Sequence, residues 1–252
     1  MKKMLFFVSA AVFITGCGIQ LNSDVASERD VYKATYTAVP VKIDGDLNDF
    51  VWQQTPAYQL ALAKDKAGNI PAEQGSVKFA WDDEYFYLAA DFLDSDIVAQ
   101  RQDDQQLHYR YGDLCELFLK PKEQTYYWEL YVTPAGNKSS FLWPSRGYLG
   151  LPDCLEKYSC NLKVAAKNMG TLNMWRDVDT GWKAEMAMPI NELEAYGYGF
   201  GVGQKWTILV SRYNYSRCLD PRERSMAPQL SKTYYHLYEE YAELELVSNL
   251  KR

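Results

Sequence analysis

The chain has 252 residues, 47% hydrophobic, 24% charged and 15% aromatic, the balance of a folded globular protein with one domain, or one domain and a tail. Its 27 Lys and Arg against 33 Asp and Glu give a net charge of −6, and no basic run could neutralise a row of phosphates, which argues against a nucleic-acid partner. Tyrosine carries the aromatic share, 20 residues against 10 Phe and 7 Trp. Its ring stacks while its hydroxyl stays wet, which suits a polar ligand with flat apolar patches.

At the N-terminus Lys2 and Lys3 precede the apolar run Met4–Ile14, too short to span a bilayer and flanked like a secretory signal. The run closes on Ile14, Thr15, Gly16 and Cys17, which resembles a bacterial lipoprotein signal. That resemblance implies a signal peptide over residues 1–16, lipidation of Cys17 and a mature chain beginning there. Gly18 stands where an Asp would mark inner-membrane retention, so the outer membrane is the expected location. Residues 17–32 are polar and aperiodic and read as a tether, leaving 33–252 as the domain. Four further cysteines remain, Cys115, Cys154, Cys160 and Cys218. An even count in an exported protein suggests disulfides, and Cys154 with Cys160, in a stretch holding Gly147, Gly150 and Pro152, is the preferred pair. Cys115 reads as a small buried hydrophobe.

Beyond the tether the hydropathy repeats every two residues. Val77, Phe79 and Trp81 alternate with polar or small residues, Asp82, Asp83 and Glu84 turn the chain, and Phe86, Leu88, Ala90 and Phe92 alternate again, which predicts a hairpin. Further strands are expected at residues 113–120, 126–133, 182–188, 206–212 and 241–247, with short helical turns at 47–54 and 190–196. Many short strands without strand–helix alternation predict an all-β, antiparallel two-sheet sandwich.

Several segments sharpen this: VPVKIDGDLNDFVW (Val39–Trp52), the hairpin Val77–Ile97, GDLCELFLKP (Gly112–Pro121), YYWELYVTPAGN (Tyr126–Asn137), GWKAEMAMPINEL (Gly181–Leu193) and GQKWTILVSR (Gly203–Arg212). In this order they resemble the family 9 carbohydrate-binding modules and the wider family 9-like group, over roughly Val39 to Leu246. The resemblance implies a two-sheet sandwich of immunoglobulin-like or DOMON-like architecture that binds sugars on one sheet face with an aromatic clamp and sometimes carries structural calcium.

Strand parity then selects residues. Cys115, Leu117 and Leu119 read as core, leaving Glu116 on the other face, and with Trp128, Leu130 and Val132 as core, Glu129 and Tyr131 point the same way. Carboxylates accept hydrogen bonds from vicinal hydroxyls while aromatic faces take the apolar face of a pyranose. By resemblance, one clamp aromatic is Tyr109 or Tyr111 and the other is Tyr235 or its neighbour Tyr234, where the family more often has Trp. Trp143 is placed on the same face, Arg212 at a position the family commonly fills with Arg, and Leu209 where members often carry Asn. The acidic groups Asp82, Asp83, Glu84 and Asp94, Asp96 offer oxygen ligands of the type calcium takes, in no specific loop register. Only His108 and His236 are present, which limits general-base and metal chemistry, and no GxSxG, Walker or HExxH motif occurs.

The expected function is non-catalytic binding of a mono- or oligosaccharide by a membrane-anchored lipoprotein, beside other outer-membrane proteins of glycan use. The alternatives are a glycoside-processing enzyme using Glu116 and Glu129, or an adaptor in an outer-membrane complex.

Overall fold

The computed structural model describes residues 29–248 except 147, 149 and 221; Cys17 and the signal segment lie outside the described residues. In chain order the elements are β1 (Val31–Tyr36), α1 (Phe50–Gln54), β2 (Tyr58–Gln59), β3 (Gly75–Trp81), β4 (Tyr85–Leu93), β5 (Leu114–Pro121), β6 (Tyr127–Val132), β7 (Lys138–Trp143), α2 (Leu151–Glu156), β8 (Lys163–Met169), β9 (Gly181–Pro189), α3 (Ile190–Glu194), β10 (Trp206–Asn214), β11 (Glu223–Ala227) and β12 (Ala242–Val247). Single 3-10 turns sit at His108–Arg110 and Tyr238–Glu240.

The strands hydrogen-bond along one path, β7-β6-β5-β10-β12-β1-β3-β4-β9-β8, with β11 added to β10 and β2 to β3. This path folds over so that inward side chains of two walls share a core. Cys115, Leu117, Leu119, Trp128, Leu130 and Val210 come from one wall, and Phe79, Phe86, Leu88, Phe92, Trp182 and Met186 from the other. The all-β sandwich is therefore as expected, with one difference: β1 runs parallel to both β12 and β3. Segment 37–74, which links β1 to β3, is long enough for the crossover that a parallel pair requires.

Two motifs of the sequence are explained by loop anchoring. Glu185 on β9 is fully buried and accepts the backbone N–H of Asp44 at 3.0 Å, that of Gly45 at 2.8 Å and the indole N–H of Trp52 at 2.9 Å. This carboxylate pins segment 41–52 onto the outer face of its wall, where Val41, Val51 and Trp52 pack on Ala80, Tyr87, Ala89 and Ala187. Gly45 has φ +79°, and a Cβ there would meet the backbone of Ala166 at 2.8 Å, so the turn accepts no other residue without displacement. Asp113 likewise accepts the N–H groups of Val98 at 2.6 Å and Tyr215 at 2.7 Å.

The predicted Cys154–Cys160 disulfide is not formed. All four described cysteines are thiols, because α2 occupies the stretch expected to be a stapled loop. It buries Cys154 in a second apolar cluster, and Cys160 packs its sulfur 3.8 Å from that of Met188.

Of the acidic residues suggested for calcium, Asp82, Asp94 and Asp96 also have protein partners. Asp82 caps its turn through the N–H groups of Glu84 and Tyr85, at 2.8 and 2.7 Å. Asp94 pairs with Arg212, and Asp96 with Arg217 at 3.0 Å. Among the described residues no three Asp, Glu, His or Cys side chains converge as a metal cluster.

Candidate functional site

Strand parity holds on β5 and β6, yet the outer face is not an open platform. The segment from Pro144 through α2 and the segment 228–241 fold over it, so Leu114, Phe118, Tyr127, Tyr131, Phe141, Trp143 and Leu209 form a second buried cluster with Cys154, Tyr235 and Tyr241. Arg146 ties the two covering segments together with a forked ion pair to Glu239, at 2.7 and 2.8 Å. Tyr241 donates to the carbonyl of Tyr235 at 2.5 Å.

Under this cover lies a cavity of about 360 Å³ lined by Tyr109, Glu116, Phe118, Glu129, Tyr131, Trp143, Gly150, Tyr213, Arg224, Thr233, Tyr234, Tyr235 and His236. Register places these groups. Glu116 lies opposite Ser211 on β10 and Tyr131 on β6, and one step along, Phe118 lies opposite Leu209 and Glu129. Glu116 and Glu129 are thus diagonal neighbours on one face, roughly 7–8 Å apart at Cα. Leu209, in place of the family's Asn, packs beneath Phe118 as an apolar floor.

The carboxylates are 2% and 4% exposed. Glu116 accepts from Ser211 Oγ at 2.5 Å. Glu129 accepts the Tyr131 hydroxyl and the indole N–H of Trp143, the latter at 2.7 Å. Burial pushes the Glu129 carboxyl up to about 7 despite these two donors. Burial, then the charge of Glu129, lifts Glu116 well above the usual carboxylate range. His236 pairs its Nδ1 with the Tyr127 hydroxyl at 2.8 Å and is pushed down to about 4 by burial and by Arg146, so it is neutral near pH 7 and offers a hydrogen bond without charge.

Aromatic rings make the walls. Tyr127 and Trp143 stack with centroids 6.0 Å apart, and Tyr213 meets Tyr235 edge-on at 5.7 Å and Tyr109 at 5.9 Å. Tyr235 is buried, whereas Tyr234 is 43% exposed at the mouth. The clamp candidates therefore divide into one wall residue and one rim residue.

The structure brings Tyr109, Glu116, Glu129, Tyr131, Trp143, Tyr234 and Tyr235 to this single cavity. Two expected site residues lie elsewhere. Tyr111 lines a separate depression with Gln105, Leu155 and Tyr158, because the 3-10 turn at 108–110 sends Tyr109 and Tyr111 to different sides. Arg212 has the opposite parity from Ser211 and Tyr213, so it enters the space between the walls. There it pairs with Asp94 at 3.1 Å and donates to the carbonyls of Glu73 and Leu93.

Phe118, Tyr213, Arg224, Thr233 and His236 were not foreseen as site residues. Phe118 shares Glu116's parity and His236 adjoins Tyr235, so both carried a signal. Arg224 sits on β11, a strand with no period-two pattern.

Comparison with known proteins agrees with this fold. The model of the carbohydrate family 9 binding domain-like family matches residues 43–140. No curated protein matches the sequence. A candidate carbohydrate-binding protein of Bacteroides uniformis superposes with TM-score 0.69 at 12% identity, covering 86% of this chain and 99% of its own. A family 9 module of Caldicellulosiruptor kristjanssonii, solved with cellotriose, gives TM-score 0.59 at 14% identity over 88% of this chain and 96% of its own. The same description with glucose gives 0.59 at 13% identity, over 88% and 98%. At these identities the likeness is one of fold.

Proposed function

We propose that the chain binds a mono- or oligosaccharide without transforming it, in the cavity over β5, β6 and β10, and that a lipid on Cys17 holds it at the outer membrane beside proteins of glycan use. The observation that carries this reading is the meeting of hydrogen-bond acceptors and aromatic faces in one cavity: Glu116 and Glu129 at the floor, with Phe118, Trp143, Tyr213 and Tyr235 around them. A pyranose needs both, acceptors for its hydroxyl groups and flat faces for its C–H surfaces. The match to the family 9-like model, and structural neighbours solved with glucose and cellotriose, support the ligand class.

The hydrogen bonds already made by the two carboxyls support binding over hydrolysis. Glycoside cleavage asks for one proton donor and one ionised carboxylate with separated pKa values. Here both oxygens of Glu129 are engaged, by Tyr131 and Trp143, and Glu116 accepts from Ser211.

The test is calorimetric titration of the purified full-length chain with glucose and cello-oligosaccharides, alongside Tyr234→Ala. Saturable heat that weakens in the variant, with no reducing ends released, supports the reading. Absence of binding across the panel overturns it.

A further inference from the structure

The floor of the cavity holds two carboxyl groups where a neutral sugar needs only hydrogen-bond partners. Two carboxylates lie within diagonal reach of each other, both more than nine-tenths buried, and the ion pairs among the described residues involve neither of them. Their donors, Ser211, Tyr131 and Trp143, are all uncharged. Arg224 contributes positive potential at Glu116, but its side chain is exposed at the rim. Burial without a cation holds these carboxyls in their protonated form, and a cation brought against them would let them ionise. The walls have the complementary property: Phe118, Tyr131, Trp143, Tyr213 and Tyr235 surround the pair, and ring faces attract a desolvated cation.

We propose that the ligand brings the missing cation: an amino sugar with a free, protonated amine, whose ammonium docks against the carboxylates of Glu116 and Glu129 inside the aromatic wall. This rests on the carbohydrate reading of the same cavity and narrows it to a chemical class. An ammonium supplies three N–H donors where a neutral sugar supplies hydroxyls alone. A uronic acid would bring a carboxylate against two carboxyls with no cation to pair it, and is rejected.

The proposal has a proton signature. The groups facing the pair are Tyr131 on β6, Tyr213 on β10, Arg224 on β11 and Tyr235 and His236 from the covering segment. His236 is pushed down to about 4 and burial pushes the tyrosines up, which leaves the carboxyl pair, both of them raised by burial, as the groups whose protons a cationic ligand displaces. An ammonium favours their ionised form, so its binding drives a proton off the pair; a neutral sugar has no such demand.

The experiment is titration of the full-length chain with D-glucosamine, D-glucose and D-glucuronic acid near pH 7, in two buffers of different ionisation heat. Glucosamine is expected to bind about tenfold or more tighter than glucose, with proton release seen as a buffer-dependent heat. Its affinity is expected to fall as pH drops from about 7 to about 5, where the carboxyls protonate while the amine stays charged. The preference is expected to shrink in Glu116→Gln and in Glu129→Gln; should either fail to fold, the proton release of the unaltered chain decides. Glucose binding as tightly as glucosamine, or glucosamine binding without proton release, overturns the proposal and leaves the carbohydrate reading standing. No binding of any sugar overturns both.

Discussion

Trp143 donates its indole N–H to Glu129 at 2.7 Å, so the ring that stacks on Tyr127 also neutralises part of the cavity floor. Replacing Trp143 with Phe keeps the ring and removes the donor. The buried carboxylate oxygen then lacks a partner, at a cost of about 1–3 kcal/mol. Chemical denaturation is expected to show that loss, and NMR titration to show the Glu129 carboxyl rising further.

Stability should also depend on pH through the floor. Glu129 titrates near 4.5 when unfolded and at about 7 when folded, so between these values the folded state binds more protons. Its contribution is present at low pH and is lost as pH rises through about 7. The difference in unfolding free energy between the native chain and Glu129→Gln is expected to move by on the order of 3 kcal/mol from about pH 5 to about pH 8, against the native chain at the alkaline end. Taking the difference removes His236, whose depressed pKa acts with the opposite sign below its unfolded value.

At the far wall, Glu185→Ala leaves the N–H groups of Asp44, Gly45 and Trp52 without their acceptor. A loss of about 3 kcal/mol or more is expected in denaturation. Sugar affinity of the folded fraction should not change, since this carboxylate lies on the other wall.

Arg212 and Tyr234 separate structural from ligand-facing roles. Arg212→Ala strands Asp94 in the core and is expected to destabilise by about 3–5 kcal/mol without altering the affinity of folded molecules. Tyr234→Ala should do the reverse. Its ring stands at the mouth, so the melting temperature stays put while calorimetry reads a loss on the order of 1 kcal/mol in binding.

The sequence displayed the fold wherever one face of a strand differed from the other. Val77–Phe92 alternates because one face is core, and β5 could be oriented from Cys115, Leu117 and Leu119 alone. It failed where both faces are covered, as in Lys138–Trp143, whose serines and aromatics are buried on either side. It failed again at Lys163–Met169, where Lys163 and Lys167 are exposed and every other residue is only half-buried. The same limit governs the site. Parity aimed Glu116, Glu129 and Tyr131 correctly, but the cover over them comes from segments 144–160 and 228–241, distant in sequence and without periodicity, so an open platform was expected where a cavity exists. Arg212 shows the converse: its place was inferred from resemblance, while its parity with Ile208 and Val210 on its own strand directs it into the interior.

Whether a sugar occupies the cavity between Glu116, Glu129 and the rings of Trp143 and Tyr235 is decided by a crystal structure with a bound saccharide. Sugar hydroxyl or amine groups are expected within hydrogen-bond distance of Glu116 and Glu129, with a pyranose face against an aromatic wall. A saccharide seated instead in the depression beside Tyr111, or elsewhere on the surface with this cavity empty, would contradict this.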